Sequence, residues 1–519
     1  MKKKIRIASL ALSVALMLSA CGGQGSAPSP SSAPDNSAPS EATPTVTKDE
    51  FVVAGYTEPP TLDPHIANFV PSFMLDQMIF DKLFVATVDN EIIPQLAEEW
   101  EWIDDTTLRV KIREGVNFTN GTPLTADDVV YSIQRACVST GSAATFSEFD
   151  GPNTVKVDEY TVDIKTKSPY PNAITVLTHG RGSIVCQEAI EEMGEDAYGR
   201  APVGSGEMIF KSWTAGDSIV LERNDDYWGD KPAFKTLNFR IITEDASRAI
   251  ELETGAVDMC FNIKATDLER LKDNPDINVE IGTGATMNQF VINTVNFDTL
   301  KDMRVRKAMH MALDMNAIVA TAYQGLAEVA DSIFPKGTFG YKAVGPMEYD
   351  PEGAKALLKE ANFDTSQVIT LNVVVNDSAA KDVAEMAANM WRDIGLNVSI
   401  EQIDRATMTT NNSLGKTPMC ISTNTPSSGN AETLLLQWEK PTSGYTSNTE
   451  LVAKITGAKT ITDDAKRAAA YEELQQLCWD EHVVIPIAVS SVVYCTRSNV
   501  KGLEIHPSNM PELSKVYFE

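Results

Sequence analysis

In TLRVKIR, residues 107–113, Leu108, Val110 and Ile112 alternate with Arg109, Lys111 and Arg113. A period of two predicts a strand with one buried face. Asn120-Gly121 then marks a turn. The next segment, TADDVVYSIQRA, changes period: Val129, Ile133 and Ala136 share one helical face, Thr125 stands where an N-cap belongs, and Asp128 lies near the positive helix end. Thr154–Lys165 reads as two strands folded about Asp158-Glu159. Further on, Val305, Ala308, Met309, Ala312 and Leu313 form a helical stripe, predicting one helix through DMRVRKAMHMALDMNAIV with Asp302 as its cap. A strand at Ile369–Asn376 comes next. A helix follows it, with Val383, Ala387, Met390 and Ile394 on one face and a stop at Gly395; the strand LNVSIEQI comes directly after. Strand, helix and strand within about 30 residues make a βαβ unit. No fixed-period repeat runs through the chain, which disfavours a solenoid or propeller. The chain is therefore mixed α/β.

The N-terminus follows a different pattern. Lys2, Lys3, Lys4 and Arg6 precede an apolar run, Ile7–Leu18, that falls short of the roughly 20 residues a membrane span needs. Charged start, short apolar core and small residues describe a signal peptide over residues 1–20. Leu18-Ser19-Ala20-Cys21 resembles the bacterial lipobox, so Cys21 is expected to carry the lipid and become the new N-terminus. Gly, Ala, Ser and Pro fill 18 of the 24 positions from Gly22 to Thr45, too polar and small to fold. Residues 21–47 are expected to form a tether with a reach on the order of 25 Å. Net charge is −28; such acidity argues against nucleic acid or anionic lipid as partners, which need basic patches. Cys137, Cys186, Cys260, Cys420, Cys478 and Cys495 show no CxxC and no metal-like spacing, leaving disulfide pairs and buried free thiols both open.

Residues 98–136, EEWEWIDDTTLRVKIREGVNFTNGTPLTADDVVYSIQRA, resemble the signature of the peptide and nickel class (family 5) of ABC-transporter extracellular solute-binding proteins. The resemblance is carried by the strand, Arg113-Glu114-Gly115, Phe118, Asn120-Gly121, Pro123 and Thr125-Ala126. TLDPH near the start agrees, as do PVGSGEMIFKSWTAGDSIVLERNDDYWGDKPAF, AIELETGAVDM, VINTVNFDTLKDMRVRKAMHMALD and MWRDIGLNVSIEQID, all in the family's order. The resemblance implies a two-lobed α/β binding-protein fold with hinge strands and a subdomain inserted in lobe I. It places lobe I at 48–70, 205–285 and 488–519, the inserted subdomain at 71–204 and lobe II at 286–487. The hinges fall near TMNQFVIN and HVVIPIAVSS. It further implies a monomeric, lipid-anchored receptor on the outer face of the cell membrane, or in the periplasm of a Gram-negative cell. Such a receptor captures di- or oligopeptides between its lobes and delivers them to an ABC permease, without chemistry and without a cofactor. A sugar, metal chelate or modified peptide as solute, a pheromone receptor and a surface hydrolase are the alternatives.

A hydrolase needs a nucleophile with a base, or a metal. Gly204 and Gly206 are not followed by the Lys-Ser/Thr of a P-loop and read as a backbone turn. His65, His179, His310, His482 and His506 form no HxxxH pair, and neither Ser183 nor Ser205 lies in G-x-S-x-G. In peptide-binding members of the resembled family, an aspartate four residues before a proline pairs with the peptide ammonium. Counting back from Pro426 gives Ser422, with Thr425 next to the proline, both neutral. Glu58 and Asp404 are the candidate replacements for that counter-charge. The remaining ligand-binding candidates are Pro60 and Thr61 after the first strand, Gln289 near a hinge, and Asn424, Pro426 and Asn430 beside Ser422. Arg405 joins them because guanidinium suits a bidentate grip on a carboxylate.

Overall fold

The computed structural model describes residues 48–67, 69–375, 377–426, 429–440 and 444–519. The expected leader 1–20, the lipidation residue Cys21 and the tether 21–47 lie outside them. Among the described residues no helix is long and apolar enough to cross a membrane.

Two long strands, Ile277–Ile292 and Val484–Arg497, lie side by side and antiparallel in an 11-stranded sheet and carry it through both halves of the protein. On one side, Met259–Phe261 pairs with the second of them, followed outward by Glu50–Gly55, Thr236–Ile241, Ser218–Arg223 and Met208–Thr214. On the other, Met419–Asn424 pairs with the first, followed by Val368–Val374 and Asn397–Ile403. The last two strands run parallel, joined by the helix Ser378–Asp393, which is the βαβ unit read from periodicity.

Each half has its own core. In Glu50–Gly55, Phe51 and Val53 point into one cluster with Phe234 and Phe239, while Val52 and Ala54 point into a second with Ala249, Leu252 and Cys260. Covering both faces is what a buried parallel strand requires. In the other half, Leu371, Val373, Val383, Met309 and Trp391 share one core, and Leu435, Trp438, Tyr471 and Trp479 another. We refer to these halves as lobes I and II. A separate four-stranded sheet is formed by Ala97–Asp104, Thr107–Ile112, Val155–Asp158 and Thr161–Lys165. With the helix Ala126–Ala136 it contributes Leu108, Val110, Ile112, Val129 and Ile133 to the core of lobe I; we call it the inserted subdomain. The capping box at Thr125 and Asp128 starts that helix as expected.

Buried polar contacts fasten the subdomain. The Arg135 guanidinium donates to both oxygens of Asp63, at 2.9 and 2.6 Å, tying the helix to the TLDPH segment. Asp81 accepts bonds from Ser205, Tyr227 and Trp228, at 2.8–3.0 Å. That carboxylate is why the PVGSGEM and DDYWGD segments come together. A Cβ added to Gly204 would stand 2.0 Å from the Ile79 carbonyl oxygen, so the glycine permits close backbone packing rather than phosphate binding. Burial pushes the Asp81 carboxyl up to about 6, against the lowering effect of its donors.

Two details depart from the sequence pattern. The stripe from Val305 to Leu313 is buried, but the chain makes two helices, Met303–Met311 and Met315–Ala322. The Asp314 carboxylate accepts from the Ala317 amide and caps the second, a local bond that competes with helix continuation. The later helix begins at Ser378, capped by Asp377, ahead of its apolar stripe. Six cysteines are free thiols.

His310 and His482, far apart in sequence, meet through their Nδ1 atoms at 3.2 Å where lobe II joins the second long strand. Burial holds both imidazoles neutral, well below the ordinary histidine range, and the positive charges of Arg306 and Lys307 further lower His482. A histidine depressed in the folded state stabilises above its unfolded pKa, near 6.5, and that contribution is lost as pH falls toward the folded value. Urea unfolding of the wild type should therefore shift to lower midpoints between about pH 6.5 and 4. The H310Q/H482N double variant should show a flatter pH slope across that window; an unchanged slope would contradict the assignment.

Candidate functional site

The first long strand has a register break between Gly282 and Thr286, and a second between Asn288 and Gln289. At the first, Gly284 approaches the Ser490 carbonyl so closely that an added Cβ would stand 2.0 Å from its oxygen. No other residue fits there. Beyond the first break, Met287–Ile292 pairs with Met419–Asn424, placing Gln289 opposite Ser422 and Met287 opposite Asn424.

Against this pair lies the helix Arg405–Ser413, and between them are two adjoining hollows of about 220 and 140 Å³ that share Thr409, Asn412 and Ser422. Arg405 and Asn288 line the smaller hollow; Asn424, Asn293, Lys440 and Tyr445 line the larger. Arg405, Thr409 and Asn412 fall at i, i+4 and i+7 on the helix, so one polar face of it forms a wall. Asp377 is the one carboxylate among the lining residues, and its Oδ1 accepts the Ala380 amide at 3.0 Å as a helix cap. Among the described residues, Arg405 and Lys440 take part in no ion pair. Burial lowers the Lys440 ammonium from its ordinary value.

The charge of Arg405 also reaches lobe I. Tyr56, just past the end of the first strand, is raised by burial and lowered by the positive charges of Arg248 and Arg405. Its ring packs edge-on against Phe261 at 5.4 Å, which in turn meets Tyr494 of the second long strand. Tyr56 of lobe I thus lies within electrostatic reach of Arg405 in lobe II.

The structure assembles part of the candidate set. Arg405, Ser422 and Asn424 line the hollows, and Gln289 sits in the adjoining register, buried. Glu58 is engaged elsewhere: one oxygen accepts the Trp213 indole at 2.8 Å and the other the Gly216 amide at 3.2 Å. Trp213 is further stacked by Arg200, 4.1 Å from its ring centroid. Asp404 caps its helix, accepting the amide and hydroxyl of Thr407, bonds that hold its carboxyl below the usual range. Thr61 turns its hydroxyl to the Gly199 carbonyl and the Asp63 amide, while Pro60 is exposed. Pro426 is buried, and Asn430 caps the Glu432 amide. Thr425 meets Thr286 of the first long strand, hydroxyl to hydroxyl at 2.9 Å. Tyr56, Thr409, Asn412 and Lys440 were missed. For Thr409 and Asn412 a signal existed in the polar i, i+4, i+7 spacing from Arg405; Lys440 carries none. Among the described residues no three His, Cys, Asp or Glu side chains gather as a metal site.

Two lobes share two long strands, and polar hollows open in lobe II beside them. The chain belongs to the bacterial extracellular solute-binding proteins, family 5, whose model matches residues 91–446. It is 26% identical over 483 residues to the glutathione-binding protein GsiB of Salmonella typhimurium, covering 90% of this chain and 94% of that one. Among solved structures it resembles DppA from Helicobacter pylori in complex with the peptide STSA, with a TM-score of 0.80, 23% identity and coverage of 91% and 98%. It also resembles NikA from Brucella suis in complex with Fe(III)-EDTA, with a TM-score of 0.80, 22% identity and coverage of 91% and 100%. The protein is accordingly an extracytoplasmic solute receptor of the ABC-importer type, a class of binding proteins rather than enzymes.

Proposed function

We propose that this receptor captures short peptides between its lobes and delivers them, unaltered, to an ABC permease, working as a monomer anchored to the membrane through Cys21. The observation that carries the reading is Arg405. It is an exposed guanidinium at the start of a helix, outside any ion pair among the described residues, set among neutral Ser, Thr and Asn side chains and within electrostatic reach of Tyr56 of lobe I. Guanidinium grips a carboxylate through two parallel bonds, and amide or hydroxyl side chains suit peptide N–H and C=O groups. GsiB and DppA, which bind glutathione and a peptide, support the same ligand class.

The reading also commits to which end of the peptide is held. Ser422 is neutral, and the carboxylates of Glu58, Asp404 and Asp377 serve structural bonds. An ammonium entering this groove finds no dedicated counter-charge, so the peptide C-terminus supplies the charge recognition. The affinity then tolerates an acetylated N-terminus and not an amidated C-terminus.

Two outcomes are expected. In thermal-shift and calorimetric titrations with matched di- to pentapeptides, N-acetylated and free-amine forms should both raise the melting temperature. C-terminal amides should bind at least about tenfold more weakly, as should the R405M variant with free-acid peptides. Equal binding of acids and amides would refute the assignment to Arg405. For the anchor, the wild-type chain expressed in a bacterial host should partition into the membrane fraction and the C21A variant into the soluble one. Identical partitioning would remove Cys21 from the proposal.

A further inference from the structure

Glu432 begins the short helix Glu432–Leu435 of lobe II, outside the lining of the two hollows. Its side chain is 3% exposed. The carboxylate accepts the Tyr170 hydroxyl on Oε2 at 2.7 Å, the Tyr471 hydroxyl on Oε1 at 2.8 Å, and the Asn172 side-chain amide on Oε1. Tyr471 belongs to the helix Asp464–Glu481 of lobe II and packs in that lobe's core. Tyr170 and Asn172 belong to the inserted subdomain, just ahead of the helix Ala173–Leu177, and Tyr170 packs against Phe149 in the core of lobe I. One buried carboxylate is therefore solvated by donors from two separately cored bodies.

An ionised carboxylate removed from water is costly unless its oxygens are fully bonded. Among the described residues no cation forms an ion pair with Glu432; Lys459, whose charge reaches it, is bonded to Glu439. The three donors thus supply the compensation, and two of them leave if the bodies part. A second contact lies beside it. Asn90, in the turn after the strand Phe84–Ala86, stands against Gly429 of lobe II, where an added Cβ would come within 3.3 Å of the Asn90 side chain.

We propose that Glu432 is a positioning residue for solute capture: its carboxylate latches the inserted subdomain to lobe II and keeps a docked form populated in the ligand-free protein. The inference rests on the two-lobed fold and not on which solute is bound. The latch supplies part of the closing free energy, so a solute need only shift an equilibrium in which the docked form already exists.

Proton linkage gives the latch a signature. Burial raises the Glu432 carboxyl above its ordinary value, while Tyr170, Tyr471, Asn172 and Lys459 pull it down. The two tyrosines facing it are pushed far up by burial and stay protonated near neutrality; Glu148 lies beside Tyr170 and Arg467 beside Tyr471. A carboxyl that titrates higher when docked takes up a proton on docking. The docked fraction is then greatest at low pH and falls as pH rises from the ordinary carboxylate range through the raised value.

The test is small-angle scattering of the ligand-free, full-length protein between pH 5 and 8, paired with hydrogen exchange across residues 168–177. The wild type should give the compact radius, expanding as pH rises. E432A should be expanded throughout, with protection of residues 168–177 reduced at least tenfold. E432Q should stay compact with no pH slope, because its amide stands in for the protonated carboxyl: the oxygen accepts from Tyr471 and Asn172, and the NH2 donates to the Tyr170 hydroxyl oxygen. The Y170F/N172A variant, which leaves lobe II untouched, should reproduce E432A and guards against a fold that E432A itself disrupts. A wild type as expanded as these two variants, or an E432Q protein with the wild-type pH slope, would overturn the proposal.

Discussion

Everything in this protein is organised by the antiparallel pairing of Ile277–Ile292 with Val484–Arg497. Each strand gives one end to the sheet of lobe I and the other to that of lobe II. The lobes thus share a backbone ladder where they join and have separate cores elsewhere. A ladder resists shear and stretching but yields at register breaks, where hydrogen bonds are missing. The breaks at Gly282/Thr286 and Asn288/Gln289 both fall in this pair, and Asn288 at the second also lines the smaller hollow.

The site's chemistry follows from what the fold has already committed. Acidic residues outnumber basic ones by 72 to 44, yet the groove is nearly free of carboxylate. Acids that might have served a ligand are occupied: Glu58 holds the hairpin of Trp213 and Gly216, and Asp404 and Asp377 cap helices. What remains is a guanidinium, an ammonium and neutral amides and hydroxyls. Selectivity here comes as much from which charges are spoken for as from which are present.

Much of the scaffold was legible in the sequence because period and chemistry agreed. The strand at 107–112, the capped helix after it and the βαβ unit ending at Ile403 each had matching alternation, cap or stop signal. The break at Asp314 was missed because an apolar stripe records which residues are buried, not whether their carbonyls continue one ladder. Site residues were harder to read for a different reason. Ser422 was singled out by resemblance and Arg405 by its guanidinium chemistry, and both line the hollows. Lys440 comes to the larger hollow by tertiary packing, which leaves no local pattern. The Asp63–Arg135 pair, joining residues 72 positions apart, is equally invisible to periodicity.

The path of the chain sets an order in which the molecule can be finished. Lobe II lies on an uninterrupted stretch between the two long strands and has all its core residues once Val483–Ala488 are in place. Lobe I does not. Met259–Phe261 must wait for Thr496, Cys495 and Tyr494, and Phe51 packs against Phe518. A chain emerging from its N-terminus therefore leaves the earlier-made lobe incomplete until Phe518 has been made. Losing Tyr494–Phe518 would spoil that lobe while leaving the later-made one whole.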